Sequence, residues 1–490
     1  MTFELFLRDD TNEVNLLGTA YRLEDGGLDI QTPKKKQVWG GESVYSHGAQ
    51  LVTSTFENRT IRILFHVTGA TRDELASNIS KIERLLENAR QRSINQSGTR
   101  VELQYRWDGS SGTTYFEIID GDLRWPRETM SVEGVHQKDE KGRYLLQGFS
   151  LTLEANPFAY PISPVTGSPV ELALTNGAGT DVTGGLAIFN HDDDTAAVHD
   201  NWVELDGSDF AGDYPAKVKL VLEADSGEAE KTSKIYIGVR KGNLTFTHML
   251  EDDDASAVFG SPSPTTHTDY SSGDTYTAIT FADTDGEIDL IEWALSSAQV
   301  IATQGPFRFF GRCKDGSHWS DQASYAIAIK YGTSILFQSE WRKPVDTTTE
   351  LFDFGTIYLP PWLTGTPTAM AGLTVTIRAV RDSSAGSSTI DLDYLALLPQ
   401  DGGYRILEYR TTGVSQFEFT VDDGWEETVY HINSSSLKTG LPYGLMPRIE
   451  LEPGVNHRLY FLQEGTAKNC EISRQMNVQV YVVPTYNVLV

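Results

Sequence analysis

The sequence predicts a mainly β protein. Residues 1–160 read as an α+β domain in which one helix backs an antiparallel sheet, and β-sandwich and jelly-roll domains follow. Three observations carry this reading. The stretch "TRDELASNISKIERLLENARQ", Thr71 to Gln91, is the one long helical period in the chain. Elsewhere apolar and polar residues alternate over short runs bounded by Gly, Asp and Ser. At 490 residues the chain is also too long for a single core.

The first strand is "MTFELFLRDD", which places acids where a secretory signal would carry a basic head and a long apolar middle. It is therefore expected to begin a mature protein made without export. In "RTIRILFHV" Ile61, Ile63, Phe65 and Val67 alternate with outward positions. The helix opens on Thr71 and Glu74, the spacing of a capping box. Leu75, Ile79, Ile82, Leu85, Leu86 and Ala89 then share one face over ~30 Å, enough to cover a small sheet. "RVELQYRW" alternates Val101, Leu103, Tyr105 and Trp107, and "TTYFEIIDGDLRW" and "YLLQGFSLTLEA" supply further strands. "GGESVYSHGAQ" and "DGSSGTT" read as loops or hairpin tips.

From Asn156 to Pro169, "NPFAYPISPVTGSP" carries four prolines and reads as a stiff connector. Beyond it come "KVKLVLE", "KIYIGVR", "YTAITF", "FRFFGRC", "YAIAIKY", "LTVTIRAV" and "IDLDYLALL", with almost no helical signal. Short strands spaced this evenly indicate sandwiches or jelly rolls. In "LTVTIRAV" Leu373, Val375, Ile377 and Ala379 face one way and Thr374, Thr376 and Arg378 the other.

Composition narrows function. The net charge of −28 argues against a basic nucleic-acid surface. Residues 1–160 hold 19 Lys and Arg against 23 Asp and Glu, or −4, while the rest hold 21 against 45, or −24. A near-neutral front could self-associate at little electrostatic cost, and an acidic rear would stay solvated. No apolar run approaches the ~20 residues of a membrane span. Cys313 and Cys470 lie far apart without a CxxC partner, which points to two buried, reduced thiols and assembly in a reducing cytoplasm.

Catalytic motifs are not found: there is no P-loop, HExxH or GxSxG pattern, and no enzymatic activity is expected. "HDDDT" (Asp192, Asp193, Asp194) and "EDDDA" (Glu251, Asp252, Asp253, Asp254) lack the spaced order of a calcium loop and read as solvated. In "ADTDGEID", Asp283, Asp285 and Asp289 alternate better and are the calcium candidates, though the distal bidentate glutamate is missing. Otherwise no cofactor is expected. Asp391 and Asp393, two apart on a strand, have a spacing that would suit a glycosidase pair; with Ile390, Leu392 and Tyr394 opposite, they read first as the outward side of an ordinary strand. Trp319, Trp341 and Trp362 could stack on sugar rings if exposed, and core packing explains them as readily.

"RTIRILFHV", the Gly69 turn, the helix, "RVELQYRW" and "GDLRWP" together resemble the N-terminal domain of distal tail proteins, the baseplate hub proteins of long-tailed bacteriophages. "FSLTLEANPFAYP" is similar to the segment that closes that domain. "GDYPAKVKLVLEA" with "SKIYIGVRKG", and "RIELEPGVNHRLYFL" near the end, resemble phrases of the later domains. "GPFRFFGRCKDG" through "FDFGTIYLPP" to "IDLDYLALLP" is similar to jelly rolls that resemble carbohydrate-binding modules.

The resemblance implies a homo-oligomeric ring, commonly a hexamer, at the distal end of the tail tube. The ring would meet the tail tube protein on one face and the tail-tip hub protein on the other. Outer domains would carry receptor-binding or tail fibre proteins, and genomic DNA would pass through without sequence-specific binding. The place implied is the virion tail tip, assembled in the host cytoplasm. Residues 1–160 would form the ring, 161–240 and 401–490 one galectin-like sandwich, and 241–400 an inserted jelly roll whose removal should leave a folded ring protein. Glu42, Tyr45 and His47, in "ESVYSHGAQ", and Lys34, Lys35 and Lys36 are the expected ring-interface residues. The alternative is a minor tail protein or adhesin that binds host surface glycans through the jelly roll, and a depolymerase using Asp391 and Asp393 is a third reading.

Overall fold

The computed structural model describes residues 3–39, 51–95, 99–107, 113–124, 138–175, 180–191, 201–224, 232–242, 248–266, 275–282, 285–296, 298–299, 305–359, 372–382, 386–409, 418–425, 428–432, 443–445, 449–465, 470 and 474–486. They fall into two compact units. The first comprises Met1–Val170, Gly212–Pro215 and Val483–Val490; the second comprises Glu171–Ala211 and Ala216–Val482. The fold is mainly β, with several antiparallel sheets and one long α-helix among the described residues.

In the first unit, strands β1 (Glu4–Arg8), β2 (Glu13–Asn15), β3 (Tyr21–Ile30), β4 (Lys35–Trp39), β5 (Leu51–Phe56) and β6 (Arg59–Gly69) precede the helix α1 (Arg72–Asn95). Strands β7 (Glu102–Arg106), β8 (Tyr115–Arg124) and β9 (Tyr144–Ala155) follow it. Seven of the strands form one antiparallel sheet in the order β2-β1-β7-β8-β9-β6-β3. The alternation in β6 becomes burial: Ile61, Ile63, Phe65 and Val67 are fully enclosed, while Leu64 on the other face is 40% exposed. The predicted helical stripe, Leu75 to Ala89, is buried in the same core and lies mainly against β6 and β8.

The helix start follows the capping logic with one difference. Thr71 Oγ1 accepts from the Glu74 amide at 3.1 Å, as expected. The Glu74 carboxylate, however, reaches past the cap to the Ala70 amide at 2.6 Å. A buried polar latch fixes the helix to the sheet: Asn78 donates to the Thr68 carbonyl at 2.9 Å, and the Tyr21 hydroxyl donates to the Asn78 carbonyl at 2.8 Å.

The proline-rich stretch is not a free connector. Tyr160 bridges to Phe116 and Ala159 to Tyr486, Phe158 stacks on Tyr214 at 4.0 Å, and Ser163 Oγ donates to the buried Glu102 carboxylate at 2.8 Å. Its prolines shape a segment that is docked on the first unit.

The second unit holds four larger sheets. One seven-stranded sheet runs Val170–Glu171, Met476–Thr485, Tyr214–Ala224, Phe419–Asp423, Thr428–Ile432, with Leu186–Ile188 and Glu450–Leu451 paired to it. The other runs Asp181–Val182, Leu174–Thr175, Trp202–Leu205, His457–Gly465, Thr232–Lys241, Gly403–Glu408, Tyr443–Leu445. Both draw strands from before residue 242 and after residue 402. The intervening chain makes two sheets of its own. One is Thr265–Thr266, Thr275–Ala282, Ser387–Pro399, Gly305–Cys313, Leu351–Leu359, joined by Met249–Glu251; the other is Ala257–Val258, Ile288–Leu295, Leu373–Arg381, Ala323–Tyr331, Ser334–Gln338.

The sheet containing Thr232–Lys241 is buried on both faces. Ile235, Ile237, Val239, Leu407, Leu459 and Phe461 point into one core. Tyr236, Tyr404, Ile406, Tyr460 and Leu462 point the other way, into a core shared with Phe310, Leu395 and Leu397 of the intervening chain. Tyr236 lies 4.6 Å from Phe310 between ring centroids. At Gly238 an added Cβ would sit 2.7 Å from the Pro399 carbonyl oxygen, so only glycine permits this approach.

Candidate functional site

Two regions of the molecule carry the residues singled out from sequence. In the first unit the candidate is a surface. The seven-stranded sheet ends in β2 on one side and β3 on the other, and neither outer edge meets another described strand. Among the described residues strands β4 and β5 pair only with each other, making a separate two-stranded ribbon between β3 and β6 in the chain. At its base Phe56 packs edge-on against Phe158 at 5.1 Å and Tyr214 at 5.2 Å, and the Glu57 amide donates to the Lys34 carbonyl at 2.8 Å. Lys34, Lys35 and Lys36 are all exposed there. Glu42, Tyr45 and His47 lie outside the described residues.

The interior of this unit also holds an unusual polar site. Arg59 and Glu117, both fully enclosed, form an ion pair, and the Tyr105 hydroxyl donates to the same carboxylate at 2.8 Å. Burial outweighs the attraction of Arg59 and pushes the Glu117 carboxyl up to about 7.

In the second unit the tryptophans separate. Trp319 is 0% exposed, and its indole N–H donates to the carbonyls of Gly311 and Glu350 at 3.1 and 3.0 Å. An enclosed ring with its donor satisfied is a core residue, so its expected role as a sugar platform is corrected. The missing side chain of Gly311 makes the room: a Cβ there would stand 2.5 Å from the Trp319 ring. Trp341 is half-buried, with the Arg378 guanidinium 5.7 Å from its ring centroid. Trp362 lies outside the described residues.

The acids separate too. Asp393 is not on an outward face: it is fully buried and paired with Arg312. Asp391 remains near the surface, accepting from Ser317 Oγ at 2.6 Å. A carboxylate committed to a buried guanidinium is not available as the second member of a catalytic pair. Asp289 is held by Arg378 at 3.0 Å and by Lys330 at 2.8 Å, and Asp285 caps a turn through the Ala282 amide at 2.7 Å. Asp283 and Asp192 to Asp194 lie outside the described residues. Asp252 is buried, accepts from the hydroxyls of Thr275 and Thr277, and is pushed up to about 6 chiefly by that burial. Among the described residues no three His, Cys, Asp or Glu side chains converge as metal ligands.

A buried network that the sequence reading missed joins the intervening chain to the sandwich. Arg312 donates through Nε to the Cys470 carbonyl at 2.6 Å and through its terminal nitrogens to Asp393 and Asp315. Glu350 accepts from the amides of Cys470 at 2.8 Å and Gly316 at 3.0 Å. The Tyr394 hydroxyl donates to the Asn190 carbonyl at 2.8 Å. Cys313 and Cys470 are free and buried, and burial raises both thiols above their ordinary range, so both are chemically quiet.

The arrangement is that of a β-rich scaffold. No family model matches the sequence, and no curated protein matches it. Among solved structures, the chain is similar to the Dit (gp 19.1) protein of phage SPP1, described as a paradigm of the hub adsorption apparatus in phages infecting Gram-positive bacteria. The identity is 8%, with 98% of this chain and 99% of that one covered, at a TM-score of 0.31. It is also similar to the phage P2 baseplate in its activated conformation with Ca, at 8% identity, full coverage of both chains and a TM-score of 0.26. The infectious bursal disease virus VP2 subviral particle follows at 11% identity, covering 64% of this chain and 80% of that one, with a TM-score of 0.15. These scores are low and assign the chain to no family.

Proposed function

We propose that this chain is a structural phage tail-tip protein whose first unit closes into a ring at the end of the tail tube. The supporting observation is a seven-stranded sheet backed on one face by α1 while neither of its outer edges meets another described strand. An open edge is a liability unless it is paired in the mature assembly, and two different open edges on one sheet suit the heterologous contact that closes a ring. The residue phrases of the first unit, including the capped helix, resemble distal tail proteins and point the same way. In this reading the ring links the tail tube protein to the tail-tip hub protein, and the later domains carry receptor-binding components. Native mass spectrometry and negative-stain imaging of the full chain are expected to give annular particles of about six copies. A monomer at every accessible concentration would defeat the reading.

A second reading, glycan binding by the jelly roll, is favoured at one place. Trp341 and Arg378 stand beside Asp289, Glu292 and Lys330 on one sheet face. A flat ring flanked by donors and acceptors suits a saccharide. Binding of host surface glycans on an array is expected to fall at least tenfold in Trp341→Ala, and an array silent for the wild type would remove this reading.

A further inference from the structure

The lysine run and the sheet edges bear on which surfaces meet. Lys34, Lys35 and Lys36 stand exposed at the base of the β4–β5 ribbon, and none makes an ion pair with a described residue. That base is firmly placed by Phe56 against Phe158 and Tyr214, so the charge is presented at a fixed position. Glu57, also exposed, follows β5 there, its amide donating to the Lys34 carbonyl.

At the other end of the sheet, the turn between β1 and β2 is organised by Asp9. Its carboxylate accepts from the amides of Thr11 at 2.9 Å and Asn12 at 2.6 Å, and from Asn88 of α1 at 2.9 Å. With Asp9 turned inward, Asp10 and Glu13 are exposed on the β2 edge. Asp10 has no ionic partner among the described residues, and Glu13 has only Arg8, at the outer limit of 4.0 Å.

These opposite charges cannot meet within one chain. The ribbon leaves the sheet between β3 and β6, and β2 lies at the far end of the seven-strand order. At ~4.8 Å per strand the six spacings between the outermost strands put the two edges about 30 Å apart. Each copy therefore carries a basic patch at one edge and an acidic patch at the other, complementary only between molecules.

We infer that the β4–β5 ribbon base of one copy, through Lys34, Lys35 and Lys36, docks on the β2 edge of the next copy, through Asp10 and Glu13. This rests on the ring reading proposed above and specifies its contact. The contact is head-to-tail, so each copy gives its ribbon to one neighbour and receives a ribbon at β2 from the other. Between partly desolvated surfaces such charge pairing fixes which edges meet and in what register.

The test uses two full-length variants, Lys34→Glu/Lys35→Glu/Lys36→Glu and Asp10→Lys/Glu13→Lys. In the first both patches are acidic, and in the second both are basic. Each alone is expected to lose the annular species in native mass spectrometry and run as a monomer. Circular dichroism is expected to stay unchanged, because all five side chains are exposed. Mixed in equal amounts, the two variants are expected to regain rings with alternating copies, since every ribbon then faces an edge of opposite charge. A chain carrying all five changes should also close alone. If the wild type forms rings and either variant still does, or if the mixture fails to restore them, this contact is wrong while the ring survives. If the wild type forms no ring, the underlying reading fails instead.

Discussion

Replacing Arg312 by methionine is expected to cost the second unit ~3–5 kcal/mol of stability, the range found when one partner of a buried ion pair is removed. The guanidinium is 0% exposed and serves the Cys470 carbonyl and the carboxylates of Asp393 and Asp315. Methionine fills most of the volume, so the loss is electrostatic: Asp393 stays buried without its cation, and a buried carbonyl loses a donor. A companion change, Asp393→Leu, is expected to recover most of the loss, because the penalty belongs to the unpaired charge. Urea midpoints of the wild type and both variants, followed by tryptophan fluorescence, measure this. A single-variant loss below ~1 kcal/mol would mean that the network is solvated in the native protein.

Excising residues 242–402 and joining the ends is expected to leave the second unit unfolded or aggregated. Chain closure is not the obstacle, since Val239 and Gly403 are direct cross-strand partners. The obstacle is the face that the excision uncovers: Tyr236, Tyr404, Ile406, Tyr460 and Leu462, none more than 6% exposed. At ~1.5–3 kcal/mol for each side chain, their exposure removes about 10 kcal/mol, comparable to the whole stability of a domain. The variant should bind a hydrophobic dye strongly and elute in the void volume, while the helical signal of α1 persists. A monodisperse, dye-silent product would show that the insert is separable, as the sequence alone had suggested.

The parts of the fold legible in sequence are those governed by local period. The helix appears because six apolar residues share one stripe behind a capping threonine, and all six are buried. Likewise Leu373, Val375, Ile377 and Ala379 are buried as their alternation predicts. What alternation cannot show is a strand covered on both sides. The runs "KIYIGVR" and "RLYFL" hold consecutive apolar residues and carried that signal, but even spacing drew the reading toward half-buried strands. Asp393 was misplaced for the same reason, since the strand that carries it is buried on both faces from Leu392 to Pro399. Sequence left Trp319 open between core and sugar platform, because the space it fills is left by Gly311 on another strand. The β4–β5 ribbon was missed because three adjacent lysines do not look like a strand.

The doubly covered sheet has a consequence for how its strands find their alignment. Where one side is wet, a slip of one residue turns greasy side chains to water and is rejected at once. Where both sides are dry, that error signal is weak. Alignment must then be read from the few polar groups that fit in only one place. Asn190 exchanges two hydrogen bonds with the Gln463 backbone, at 2.9 and 2.7 Å, and Arg405 grips Asp422 with two more, at 2.7 and 2.8 Å. These side chains act as notches on an otherwise smooth ruler, and a chain stripped of them would keep its grease but lose its place.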